Sequence, residues 1–254
     1  MQTVGELLRQ WRHRRQLSQL DLAIASNVSP RHVSLVETGK SNPSADMILR
    51  LAAQLDVPLR DRNQLLLAAG FAPRYSEHPL QGETPSAVTD AIARVLRAHE
   101  PYPALVVDRR WNLVMTNRAV GPFFAGAAPE LLQPPVNLVR LALHPHGLAS
   151  RLVNLADVRA NLRLRILRQL ASSRAPELTR LYEELLIPAP DEAPTVARAS
   201  DLVLPMVFRL DDQRELRLFS TTTKFGSAMD ITLDELAIEL YHPADDATAA
   251  YFGR

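Results

Sequence analysis

The chain contains no cysteine. That one absence excludes disulfides, thiolate nucleophiles, iron–sulfur clusters and Cys-based zinc sites, and it fits a reducing compartment. Long apolar runs are also missing. None reaches the ~18 uncharged residues that a membrane span needs. The opening stretch, MQTVGELLRQWRHRRQ, has neither the apolar block nor the small-residue cleavage site of a signal peptide, so a cytoplasmic protein without a membrane partner is expected. No Gly-rich phosphate loop, G-x-S-x-G elbow or H-E-x-x-H occurs, so the chain is not expected to be an enzyme. His144 and His146 have no acidic or third histidine ligand nearby in sequence. They read as loop histidines, and no metal or cofactor is expected.

A charge excess is lacking as well: 29 basic groups face 28 acidic ones. The balance hides an asymmetry. Residues 1–75 carry 10 basic and 6 acidic side chains, net +4, whereas residues 76–254 carry 19 and 22, net −3. What is present in quantity is apolar side chain, 46% of 254 residues, enough for one large core or two ordinary ones.

The first 70 residues read as five short helices separated by tight breaks. Val4, Leu7, Leu8 and Trp11 recur at helical spacing. Ser18 precedes a second segment, Ser29-Pro30 is a cap followed by proline at the first helical position, and Gly39 stops that third helix. Ser44 caps a fourth and Pro58 opens a fifth, which ends at Gly70. Residues 71–83, with two prolines and a glycine, read as a linker to a second domain over 84–254. There Thr84-Pro85 caps a helix bearing Val88, Ile92, Val95 and Leu96. Ala104–Val107 and Leu113–Met115 flank a polar turn as in a hairpin, residues 117–186 look helical, and Asn154–Ser173 is the longest helical stretch. Period-2 alternation then sets in at Leu204, Met206, Phe208 and Leu210, at Leu216 and Leu218, and at Leu236, Ile238 and Leu240, with charges between. It predicts strands with one buried and one solvated face. Asp245-Asp246 near the tail reads as a solvated turn. The fold expected is a multidomain one, an all-α five-helix domain followed by an α+β domain.

The segment QLDLAIASNVSPRHVSLVETGKSNPS resembles the helix-turn-helix of Cro/repressor-type, or Xre-family, regulators, and the resemblance covers residues 4–69. It implies a lambda-repressor-like fold and double-stranded DNA as partner. The helical period assigns the faces. Val33 and Val36 point one way from the third helix, while Arg31, Ser34, Leu35 and Thr38 fall on the opposite arc. A recognition helix lays that outer arc in the major groove with its N-terminal residues, here from Ser29 and Pro30, nearest the bases. Arg31 suits either a guanine edge, bidentately, or a phosphate. Ser29 and Ser34 can serve either role, and Leu35 can touch a thymine methyl. The resemblance further implies phosphate contacts from Gln19, Lys40 and Asn42, and a buried ion pair between Arg12 and Glu37.

In the second domain, LVVDRRWNLVMTNRAVGPFF resembles the opening of a PAS domain. With NLVRLALHP and the arginine-bearing helix after Leu155, the region 86–241 resembles the MmyB-like ligand-binding domain. That resemblance implies a PAS-like fold and an apolar ligand, with a long-chain fatty acid as a candidate. The expected lining is Leu113, Met115, Phe123, Phe124, Leu138, Leu141, Met206, Phe208 and Leu218, with Arg140 to meet a carboxylate. The same apolar set also fits an ordinary filled core, and Arg140 an acidic side chain. The function expected is sequence-specific transcription regulation, as a homodimer on a palindromic operator, with small-molecule sensing in the second domain. The alternative is a second domain that serves only dimerisation or protein contacts.

Overall fold

Residues 2–78, 87–172, 175–187, 203–210, 212–226 and 228–253 are described by a computed structural model of the chain. Contacts divide the chain into two compact units. The first comprises Met1–Pro79 with Ala171–Ser173 and Gly226–Asp234; the second comprises Leu80–Leu170, Arg174–Phe225 and Glu235–Arg254.

Five helices build the N-terminal part of the first unit: α1 (Val4–Arg14), α2 (Gln19–Ala25), α3 (Pro30–Glu37), α4 (Ala45–Gln54) and α5 (Leu59–Ala68). Local chemistry fixes their starts. Thr3 with Glu6 and Ser18 with Asp21 form reciprocal capping boxes, and Ser29 and Ser44 accept the His32 and Met47 N–H groups. Helix α5 has no cap of its own, because Pro58 precedes it. The Leu59 N–H donates instead to Asp234, 3.1 Å away, on the segment that clusters with this unit. The core gathers Leu8, Trp11, Leu22, Val33, Val36, Ile48, Leu51 and Leu66. Helices α1 and α3 approach so closely that a Cβ on Gly5 would lie 2.3 Å from the Val36 carbonyl oxygen. The expected linker is not a free tether over its described part. Asn63 donates to the Tyr75 carbonyl and accepts the Arg74 and Tyr75 N–H groups, binding that stretch to α5. Residues 79–83, and the expected Thr84-Pro85 cap, lie outside the described residues.

The second unit runs α6 (Ala87–Ala98), β1 (Ala104–Val107), β2 (Leu113–Thr116), α7 (Gly121–Phe124), α8 (Leu138–Leu143), α9 (Leu155–Ser172), α10 (Pro176–Leu185), β3 (Met206–Arg209), β4 (Glu215–Thr223), α11 (Ile231–Glu235), β5 (Ala237–Pro243) and α12 (Asp246–Phe252), with α11 mostly in the segment that joins the first unit. The expected hairpin is β1–β2. Asp108 shapes its turn by accepting the Arg110 and Asn112 N–H groups. The five strands form one antiparallel sheet in the order β2-β1-β5-β4-β3, the PAS-like α+β arrangement.

Two expectations need correction. Strand β5 is central and both of its faces are covered: Ile238 is buried on one face, and Glu239, the charged residue between, is 1% exposed on the other. Asp245 and Asp246 are exposed, as expected, but they start a helix rather than make a turn: Asp245 is the N-cap of α12, accepting the Thr248 N–H at 2.8 Å.

Candidate functional site

The DNA-binding candidate is the α2–α3 pair. Ala23 on α2 is fully buried in the core of the unit. The turn passes through Asn27 at φ 52°, a left-handed conformation that asparagine tolerates. Val33, Val36 and Glu37 face inward, while Pro30, Arg31 and Thr38 are exposed and Ser34 and Leu35 half-buried, so the outer arc of α3 is where the helical period puts it. Lys40 and Asn42 are exposed on the loop beyond α3. Ser29 is engaged as the α3 cap, and the Thr38 hydroxyl donates to the Ser34 carbonyl at 2.7 Å.

Behind this face, Arg12 grips Glu37. Nε donates to Oε1 at 2.7 Å and Nη2 to Oε2 at 2.8 Å, with both side chains under a tenth exposed. Gln19 donates to the same carboxylate at 2.8 Å, so its side chain anchors α2 to α3. Burial pushes the Glu37 carboxyl up, but the hydrogen bonds from Arg12 and Gln19 and the arginine charge outweigh it and hold the group below the usual carboxylate range. Arg15, one of a cationic group with Arg9 and Arg14, donates to the Leu55 and Asp56 carbonyls at 2.8 Å and caps the end of α4.

In the second unit, a cavity of about 80 Å³ lies where two apolar clusters meet, with Phe124, Val158 and Tyr241 packed against both. Six of the ten expected residues line it: Phe123, Phe124, Leu138, Met206, Phe208 and Leu218. Phe123 meets Phe208 edge to face at 5.0 Å. Four do not line it. Leu113 packs in the adjoining cluster, Met115 pairs with Val106, and Leu141 is fully buried in the core behind. Arg140 is 44% exposed and bound to Glu184, one contact at 2.8 Å, and the pair raises its pKa. On α8 the residues Leu138, Val139, Leu141 and Leu143 are the buried ones, which leaves Arg140 on the outer side.

The charged lining residue is Arg165 on α9, one helical face with Val158 and Leu162, all three in the cavity wall. Its guanidinium lies over Trp111, 4.7 Å from the ring centre, and pairs with the buried Glu239. Burial and then the negative charge of Glu239 raise the pKa of Tyr241, against the pull of Arg165, so its hydroxyl stays a neutral group in the wall. The signal for Arg165 was present in the sequence as the i, i+4, i+7 spacing of Val158, Leu162 and Arg165.

A five-helix unit with a helix-turn-helix, followed by a PAS-like domain around an apolar cavity, defines a class: DNA-binding transcription regulators with an effector domain. The family profile described as the MmyB-like transcription regulator ligand binding domain matches residues 88–254, and a helix-turn-helix domain profile matches residues 3–65. The chain belongs to the MmyB-like transcription regulator family. Among solved structures it is similar to the restriction-modification controller protein C.AhdI from Aeromonas hydrophila, at 39% identity over 23% of this chain and 89% of that one, TM-score 0.23. It is also similar to an RNA-binding light-oxygen-voltage receptor, at 13% identity over 98% of this chain and 61% of that one, TM-score 0.28. No curated protein matches it.

Proposed function

We propose that this protein is a cytoplasmic, non-enzymatic regulator that binds a palindromic operator as a homodimer through α3. Its second domain senses an apolar small molecule carrying a long alkyl or acyl chain, the class in which fatty acids fall. Arg31, Ser34, Leu35 and Thr38, with Ser29 and Pro30 at the helix start, face the bases, while Lys40 and Asn42 hold phosphates. Gln19 serves the phosphates only through the position it gives α2. One observation carries the sensing part: the cavity wall is apolar except for Arg165 and the polar tips of Trp111 and Tyr241. That is the make-up of a lipid site, an apolar body with one polar end.

One observation favours the second reading, a domain for dimerisation alone. The cavity measures about 80 Å³, whereas ligand pockets run to roughly 300–1,000 Å³. A chain-bearing ligand therefore has to spread the wall. Native mass spectrometry and solvent extraction of freshly purified protein separate the two readings. The sensing reading expects a single-chain amphiphile on the protein, or a rise in melting temperature on adding dodecanol or dodecanoate. Bare protein mass with no melting shift from either compound would leave dimerisation as the domain's role.

A further inference from the structure

Trp111, in the cavity wall, stands in a backbone conformation ill-suited to a tryptophan. It ends the β-turn of the β1–β2 hairpin, where its N–H donates to the Asp108 carbonyl at 3.0 Å, and its φ is 66°. A β-turn that opens with aspartate favours glycine at that last place, and a bulky side chain at positive φ is strained. Among the described residues of the cavity wall, Trp111 alone has a positive φ. The turn gains nothing from the indole; what the indole serves is the wall. Trp111 is 5% exposed, and its side chain is fastened to α9 at two positions one helical turn apart. The Arg165 guanidinium lies over the ring, and Nε1 donates to Gln169 Oε1 at 3.0 Å. Gln169 Nε2 donates in turn to the Arg109 carbonyl at 2.7 Å, which ties α9 back to the same turn.

The indole thus fills space between the hairpin and α9, against a cavity of about 80 Å³ that Val158, Leu162 and Arg165 of α9 also line. It is the bulkiest side chain in that wall. Glycine at the same position would relax the turn and add the volume of the ring to the cavity. An alkyl chain gains affinity only for methylenes that find apolar room, roughly fourfold for each one buried, and a methylene that meets the ring gains none. We infer, on the sensing reading above, that Trp111 is the specificity-determining residue for chain length. Its ring is the stop that sets how many methylenes of a single-chain amphiphile the cavity takes, and Arg165 and Gln169 are the positioning residues that hold the stop in place.

The test is isothermal titration of the full-length protein with 1-octanol, 1-decanol, 1-dodecanol and 1-tetradecanol, for the wild type, Trp111→Gly and Trp111→Phe. Wild-type affinity should level off within the series, while in Trp111→Gly it keeps rising. The ratio of tetradecanol to octanol affinity should be at least about tenfold larger in Trp111→Gly than in the wild type, a gain that two further buried methylenes supply. Trp111→Phe keeps a smaller ring and should fall between. A filled core would close over the deleted ring and leave the chain-length profile where it was. The same profile in the wild type and in a folded Trp111→Gly protein therefore overturns the inference while leaving lipid sensing intact. If Trp111→Gly does not fold, Trp111→Phe decides: a profile that reaches longer chains upholds the inference, and an unchanged one overturns it. If no alcohol of the series binds the wild type, the sensing reading falls and takes this inference with it.

Discussion

Glu37 links three helices through one carboxylate, and its charge is what the arrangement needs. Its folded pKa lies below the unfolded value of about 4.3, so its contribution to stability is complete above that value and is lost as pH falls through the folded one. Thermal melting from pH 7 to pH 3 should therefore show the wild type converging on Glu37→Gln as the medium acidifies; parallel curves would contradict the ion-pair role. Removing one partner outright, as in Glu37→Ala, strands the buried Arg12 and should cost about 3–5 kcal/mol. On the outer arc, Arg31→Ala should lose about 1–3 kcal/mol at the specific operator and relax one base-pair position. Lys40→Ala should instead weaken all sequences alike and lower the salt slope by about one. Salt-titrated binding to selected and random DNA separates the two, and equal effects on both DNAs would remove Arg31 from base recognition. The Arg12–Glu37 pair was legible in the sequence because a whole motif surrounds it. Arg165 was legible only through its spacing with Val158 and Leu162, and Glu239 was not. Alternation along β5 assigns the charge between Ile238 and Leu240 to solvent, and only the central place of that strand buries it. Arg140 drew attention by its closeness in sequence to Leu141, yet adjacent residues on a helix point about 100° apart.

At the scale of elements, α9, the sheet and the short helices α7 and α8 all contribute to the cavity wall, and substitutions in the wall and in the core should behave differently. Leu141 is fully buried behind the wall, so Leu141→Trp should overpack the core and destabilise by roughly 1–3 kcal/mol. Val158 lines the cavity itself, so Val158→Phe should occupy the space, leave the melting temperature nearly unchanged and abolish the shift produced by dodecanol. Melting curves of both variants with and without dodecanol check this; a Val158→Phe protein that melts as low as Leu141→Trp would mean a filled core. Helix starts and the β1–β2 hairpin were legible because caps, prolines and turn residues act within a few positions of chain. The strand order was not, since alternation fixes a face and says nothing of the neighbour. The helical reading of 117–186 was too coarse for the same reason: short helices and 3-10 turns there are set by what they pack against.

For the whole molecule, the charge asymmetry decides what one copy can do. A net +4 on residues 1–75 gives a modest electrostatic footprint, so one helix-turn-helix should bind weakly and two copies on half-sites about 34 Å apart should recover the affinity. Sedimentation should find a dimer and footprinting a palindrome; a monomer at micromolar concentration protecting a single half-site would contradict this. The two-domain plan was legible in the sequence from the change of hydrophobic period and of charge sign. The place of residues 226–234 in the first unit was not, because it rests on contacts from far along the chain, the Leu59 N–H to Asp234 and Ser76 and His78 to Asp230 among them. In the proposed regulator, a ligand held by the second domain alters DNA binding by the first, and linkage makes that measurable as a change in operator affinity. The most direct measurement is the operator Kd with and without saturating dodecanol, at fixed salt, on protein whose binding of dodecanol has been established by titration. The account predicts a change of about 5–150-fold in Kd, in either direction. Identical affinities with the cavity occupied would contradict it.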